Sequence, residues 1–235
     1  MSFLKAEWRK LVLANYALDP AVLRPYVPEK TELDTWNGTT YASIVGFMFL
    51  NTRIRGLRIP FHVNFEEANL RFYVRYQHEG IWRRGVVFVR EIVPKPAITW
   101  VANTLYKEHY ATMPMQHRWE ERPDYQIVEY SWFPSGVERQ RVYVEADKTA
   151  LPIAESSEEE FITEHYWGYT QQGRKTFEYE VRHPRWEHYP VRRYELEIDF
   201  GRLYGADFAH LNEAQPVSVM LAEGSRTSVE GKRRL

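Results

Sequence analysis

Phe65-Glu66-Glu67-Ala68-Asn69-Leu70-Arg71-Phe72-Tyr73-Val74-Arg75-Tyr76 is the stretch on which the fold of this chain turns. Side chains alternate across a β-strand. A period of two therefore puts Glu67, Asn69, Arg71, Tyr73 and Arg75 on one face and Ala68, Leu70, Phe72 and Val74 on the other. Two architectures produce such a segment. An antiparallel strand with one wet face shows it, and half-buried strands are usually built that way. A strand in a closed β-structure shows it too, with the polar row facing a ligand. At this level the row is either a solvated ladder or the wall of a site.

Outward from this strand, Tyr, Trp, Phe, Val and Ile recur in short runs separated by turn residues, which predicts many strands rather than a helical bundle. The runs place strands near 9–16, 40–50, 63–77, 85–92, 113–120, 125–133, 138–146, 174–182, 189–199 and 217–229. Three helices interrupt them. Asp19 before Pro20 supplies an N-cap and a first-turn proline for a helix from Pro20 to Val27, ended before Pro28. Pro96 opens a second, with Ile98, Val101, Ala102 and Leu105 at helical spacing. Ser157 and Glu160 form a capping-box pattern ahead of Phe161 for a third, running toward Tyr166. Asn37-Gly38 reads as a hairpin turn. No repeat or low-complexity linker divides the chain, so residues 1–235 are expected to form one domain. It is mainly β with a few helices (α+β), around a closed or nearly closed antiparallel sheet.

The 31 basic and 32 acidic residues nearly cancel, so no global field draws nucleic acid or an anionic membrane toward the chain. With no basic groove to match, the 15% aromatic content is assigned to packing rather than base stacking. Lys232, Arg233 and Arg234 mark a basic C-terminal tail near 230–235, expected to be frayed. Cysteine is absent, which removes disulfides and thiolate chemistry and suggests a cytoplasmic protein. The charged N-terminus is not a secretory signal, and Ile44–Leu50 falls far short of the roughly 20 apolar residues that span a bilayer. Phosphate loop, dinucleotide turn, nucleophile elbow and zinc helix motifs are all missing. Eight histidines are scattered without ligand spacing, so neither a metal nor a cofactor is expected.

The order of short segments resembles a known family. Asp19-Pro20, Leu23-Arg24, Val27-Pro28, Leu33-Asp34-Thr35, Asn37-Gly38 and Val45-Gly46-Phe47 lead into Phe65, Glu67, Asn69, Arg71, Tyr73 and Val74. Phe161-Ile162-Thr163-Glu164-His165-Tyr166 and His183-Pro184-Arg185-Trp186 follow. This series is similar to the YqjF-like bacterial proteins of the acetoacetate decarboxylase-like superfamily. The resemblance implies a barrel-like acetoacetate decarboxylase-like fold enclosing a small-molecule cavity. It also raises the question of an imine-forming lysine, because decarboxylases of that superfamily use a lysine whose pKa is lowered by a second lysine beside it. Arg90-Glu91-Ile92 followed by Pro94-Lys95-Pro96 makes Lys95 a candidate, but its neighbour is a proline. In the YqjF-like register Tyr110 takes the place of the motif tyrosine and Thr112 that of the lysine, with Lys107 nearby.

Three readings stay open. The first is a binder of a small organic molecule, a carboxylate by preference, with or without catalysis but without a Schiff base. Its ligand-binding candidates are Glu67, Asn69, Arg71, Tyr73, Arg90, Glu91 and Tyr110. Arg71 would take the carboxylate through a two-point contact, and Glu67 or His165 would serve as acid or base. The second is a lysine-dependent decarboxylase or aldolase-type enzyme using Lys95 or Lys107. The third is a non-catalytic interaction module, and a homo-oligomer is compatible with any of the three. Each candidate also has a bland reading as a sheet ion pair, a core tyrosine or a backbone-satisfying histidine, and Arg90 and Glu91 should point to opposite faces.

Overall fold

The computed structural model describes residues 2–106 and 108–235. The first half builds a set of long strands: β1 (Leu4–Leu18), β2 (Glu32–Leu33), β3 (Thr40–Ile54), β4 (Phe65–His78) and β5 (Ile81–Val93). Helix α1 (Pro20–Leu23) follows β1 and runs into a 3-10 turn at Arg24–Tyr26; α2 (Pro96–Val101) follows β5 and widens into a π turn at Ala102–Tyr106. Next come β6 (Tyr110–Thr112), β7 (Met115–Glu121), β8 (Gln126–Trp132), β9 (Gln140–Ala146), β10 (Leu151–Pro152) and helix α3 (Glu158–Thr163). The chain continues through β11 (Trp167–Gln172), β12 (Lys175–Arg182), β13 (Glu187–Tyr189) and β14 (Val191–Glu197). It ends with α4 (Phe200–Tyr204), a 3-10 segment at Ala206–Asn212, β15 (Ser218–Val229) and β16 (Arg233–Arg234).

Local chemistry accounts for several boundaries. The Asp19 carboxylate accepts from the Ala21 amide at 2.8 Å and starts α1. Ser157 Oγ accepts from the Glu160 amide at 3.1 Å to start α3, while Glu160 reaches back to the Ser156 amide. Asn37 and Gly38 both have positive φ, 50° and 80°, and Trp36 and Thr39 exchange backbone bonds across them. That is a primed hairpin turn.

The large sheet runs β10-β13-β15-β1-β3-β4-β5-β11-β12-β16, with β2 on β4 and β6 on β5. Its far end curls back: β12 pairs with β15 at Val181↔Val229 and Arg182↔Ser228. Between β5 and β11 only Trp167↔Gly85 and Gly168↔Val86 are paired, so the roll is barrel-like rather than continuously bonded all round. A second sheet, β14-β9-β8-β7, covers the outer face. Gly46 permits the close approach, since a Cβ there would meet Val142 Cγ2 at 2.9 Å and the Tyr130 ring at 3.0 Å.

Two apolar clusters result. Leu70, Phe72 and Val74 pack with Val128, Tyr130 and Trp132 between the sheets. Tyr73 packs with Phe47, Phe49, Phe65, Phe161 and Trp186 inside the roll. Both faces of β4 are therefore dry, and the Glu67, Asn69, Arg71 and Tyr73 row is not a solvated ladder. Arg75, at the end of the row, reaches outward to Glu32 at 2.7 Å.

The predicted strand at 189–199 is broken by Pro190, which has no amide to donate. Before it β13 pairs with β15 in the large sheet; after it β14 pairs with β9 in the small one. Strand β11, helix α4 and the 3-10 segment after α4 were not foreseen. The tail is not frayed: Arg233 and Arg234 pair with β12, and the Arg233 guanidinium meets the buried carboxylate of Glu178 at 2.5 Å.

Candidate functional site

A cavity of about 660 Å³ lies inside the roll, walled by its inner strand faces, by α2 with the π turn, and by the loop between β3 and β4. The rings of Trp8, Phe47, Phe49, Phe65, Phe88 and Trp186 form much of the wall. Its polar groups converge from distant elements.

Strand β4 supplies Glu67, Asn69 and Arg71. Glu67 Oε1 accepts from Asn69 Nδ2 at 3.0 Å, and Oε2 accepts from the Tyr110 hydroxyl at 3.0 Å. Tyr110 opens β6, which runs parallel to β5 with Tyr110 level with Glu91. Asn103 fixes it by bonding both its amide, at 2.8 Å, and its carbonyl, at 3.0 Å. Strand β5 carries a bulge: Leu70 pairs with Arg90 while the next residue, Arg71, pairs with Phe88. The extra residue shifts the alternation, so Phe88 and Glu91 both line the cavity although they are three apart.

Burial is the main force on the carboxyl groups. It raises Glu67 to about 7, against the pull of Asn69, Tyr110 and Arg71. Glu108 is raised to about 8, again by burial, and a Tyr179 bond and Lys232 offset only part. Glu91 lies well above the usual carboxylate range through burial and the nearby charges of Glu108 and Glu67. The trio therefore carries fewer than three negative charges at neutral pH. Asn69 Oδ1, Glu91 Oε2 and Glu108 Oε1 are buried with no hydrogen-bond partner among the described residues.

Arg71 is 8% exposed. Its Nη2 donates to the Ile162 carbonyl at a long 3.4 Å, and its Nε has no partner among the described residues. No carboxylate forms an ion pair with it among those residues, although the guanidinium sits 5.7 Å from the Tyr73 ring centre. A buried cation in this state is costly unless something anionic meets it.

On the cavity wall near Arg71, His165 Nε2 lies 3.1 Å from Asp34 Oδ2, which also accepts from Arg84 Nε at 2.7 Å. Burial depresses His165 to about 4, the Asp34 bond only partly opposing it. Burial tends to raise Asp34, but the His165 and Arg84 contacts outweigh it, and the carboxyl stays below its usual value. The neutral imidazole thus donates from Nε2, leaving Nδ1 as a buried acceptor without a partner among the described residues.

The structure brings Glu67, Asn69, Arg71, Glu91, Tyr110 and His165 to one cavity. Tyr73 stands behind it, bonded to Ser43 Oγ at 2.7 Å and packed on His165 and Phe161. Arg90 is corrected: the strand's alternation sends it to the opposite face, where it donates to the Leu203 carbonyl. Lys95 is corrected too. It precedes α2, its carbonyl accepting from the Ile98 and Thr99 amides, and it does not line the cavity. Its charge acts instead on Glu66, which binds His117 at 2.6 Å. Lys107 lies outside the described residues. Glu108, Tyr179 and Asp34 were missed. Asp34 stood in the Leu33-Asp34-Thr35 segment already singled out, the one signal that could have found it.

Among the described residues no group of three or more His, Cys, Asp or Glu is arranged to hold a metal ion. No helix among them is long and apolar enough to cross a membrane.

A sequence model of the DUF2071 family, described as an uncharacterized conserved protein, matches residues 5–226. The uncharacterized protein YqjF of Bacillus subtilis is 40% identical over 75 residues, 32% of this chain and 31% of that protein. The chain thus matches about a third of that relative's length. Among solved structures, acetoacetate decarboxylase of Legionella pneumophila superposes with a TM-score of 0.66 at 11% identity, covering 99% of this chain and 86% of that one. An acetoacetate decarboxylase-like enzyme of Sphingomonas wittichii gives 0.67 at 14%, covering 100% and 93%. The enduracididine biosynthesis enzyme MppR, complexed with pyruvate, gives 0.66 at 12%, covering 100% and 91%. At these identities the structural likeness shows the fold, an acetoacetate decarboxylase-like one.

Proposed function

The chain belongs to the DUF2071 family, and from that premise we propose that it binds a small organic carboxylate in the cavity of its barrel-like roll. The observation that carries this reading is Arg71, a buried guanidinium without a carboxylate of its own among the described residues. A planar fork of donors suits a two-point contact with a carboxylate and satisfies the free Nε. The surrounding carboxyl groups oppose an anion less than three full charges would, because burial raises each of them above its ordinary value. MppR, one of the structural neighbours, is complexed with pyruvate, an acid of this class.

The chemistry such walls allow is proton transfer. Glu67, raised to about 7, sits where an acid or base works best near neutral pH, and Tyr110 and Glu91 extend the path. Imine chemistry has no support from the lining, since no lysine among the described residues faces the cavity. A cytoplasmic location accompanies this proposal, on the absence of cysteine.

Calorimetric titration with carboxylates and with the matching primary amides tests the reading. Carboxylates should bind, amides should bind at least tenfold more weakly, and Arg71→Met should abolish the difference. Equal affinity for acid and amide would defeat the proposal.

A further inference from the structure

The polar groups that β4 contributes occupy only one part of the cavity, Thr52, Arg55 and His62 lining it nearer the loop between β3 and β4, and the change of character can be followed along a single strand. On the inward face of β4, Arg71, Asn69 and Glu67 are succeeded by Phe65, which stacks on Phe49 with ring centres 4.7 Å apart. Phe65 lies six positions before Arg71, about 20 Å at ~3.4 Å per residue. Beyond Phe65 the lining continues through Ile54 and Ile59 toward the loop between β3 and β4, and across from them through Leu105 of the π turn. Ile59 and Leu105 are 40% and 49% exposed, so the lining reaches the surface here. This end is the mouth.

A keto acid the size of pyruvate would meet Arg71 and leave the aromatic stretch untouched. A cavity of about 660 Å³ falls within the ~300–1,000 Å³ that usually takes drug-sized ligands. Filling it with water against aromatic walls forgoes the gain from burying apolar surface on both partners. Exposed Ile59 and Leu105 extend that apolar wall outward, where a longer tail would pass.

We propose that the ligand is an amphiphilic carboxylate, with its head on Arg71 and a long alkyl or aryl-alkyl tail along Phe65 and Phe49 toward Ile59 and Leu105. The proposal rests on the carboxylate reading and adds the tail, its direction and its exit.

The test is calorimetric titration of straight-chain carboxylates from acetate to decanoate, each below its micelle concentration, with pyruvate and octanol as references. The proteins are the full chain, Arg71→Met, Ile59→Asp and Leu105→Asp; the last two positions are partly exposed, so folding is not at stake. Affinity should rise roughly three- to fourfold for each methylene beyond butanoate, as buried CH2 groups predict. Ile59→Asp and Leu105→Asp should flatten that rise for the longest acids and leave butanoate unchanged. Arg71→Met should weaken every acid. Pyruvate or acetate binding as tightly as octanoate would overturn the tail while leaving the carboxylate reading intact. A rise with chain length that survives in Arg71→Met, with octanol binding as well as octanoate, would overturn the head group and with it the carboxylate reading.

Discussion

Arg71→Met should leave the ligand-free protein as stable as the parent or more so. Methionine keeps an unbranched chain, two heavy atoms shorter, and removes the charge. What is lost is one long contact to the Ile162 carbonyl, 3.4 Å, a cation–ring approach of 5.7 Å to Tyr73, and the smallest of the pulls on the Glu67 carboxyl, which burial holds partly protonated. At those distances these contacts do not offset much of the cost of keeping a guanidinium 8% exposed with Nε unbonded among the described residues. Replacing well-paired buried ions by apolar residues is often neutral or stabilising by about 1–4 kcal/mol. Arg71 has no carboxylate in an ion pair with it among the described residues, so about 1 kcal/mol of stabilisation is expected, a rise in Tm of ~2–4 °C for a chain of this size. Breaking a structural ion pair would instead cost about 3–5 kcal/mol. The assay is thermal unfolding in a buffer free of carboxylates, backed by urea midpoints. A fall of ten degrees or more would refute the reasoning, because it would make Arg71 a structural tie rather than a waiting anion site.

The buried carboxyls give a pH signature. A carboxyl whose folded pKa is raised contributes stability that is present at low pH and lost as pH rises through the folded value, here about 7 for Glu67 and about 8 for Glu108. His165, depressed to about 4, works the other way, but only below its ordinary value of about 6.5. The urea midpoint should therefore fall between pH 6.5 and 8.5, and fall less in Glu67→Gln; a midpoint that climbs over that range contradicts the assignment. Gly46→Ala should destabilise by about 1–3 kcal/mol, since its methyl would press on Val142 and Tyr130 between the sheets; urea unfolding at unchanged stability would show that the sheets can move apart. Borohydride with pyruvate should leave the intact mass unchanged, and a stable adduct on Lys95 or Lys107 would restore imine chemistry.

The sequence carried the strand-rich class, the caps at Asp19 and Ser157 and the two faces of β4, because these depend on near neighbours. That both faces are dry did not follow from β4 itself: it requires a second sheet on one side and the return of β12 to β15 on the other, contacts made across most of the chain. The site divides in the same way. Glu67, Asn69 and Arg71 were readable from strand alternation, whereas Asp34 and His165 meet from positions 131 residues apart. Alternation correctly separated Arg90 from Glu91 but gave no means of telling which would face the cavity. A bulge set that, and bulges have no strong single-sequence signal.

The bulge on β5 also bears on how this scaffold could change. Strand β4 is in register on both sides of it, so the extra residue acts only on what β5 presents: Glu91 and Phe88 inward, Arg90 outward. Val89, the residue left without a partner, is the one the ladder does not need: without it Phe88, Arg90 and Glu91 would still oppose Arg71, Leu70 and Asn69 and would alternate in, out and in. Loss of that residue would straighten the strand and leave the carboxyl on the cavity wall and the guanidinium behind it. In a fold that encloses its ligand between strands, such a point lets the curvature of the wall change while its chemistry is kept.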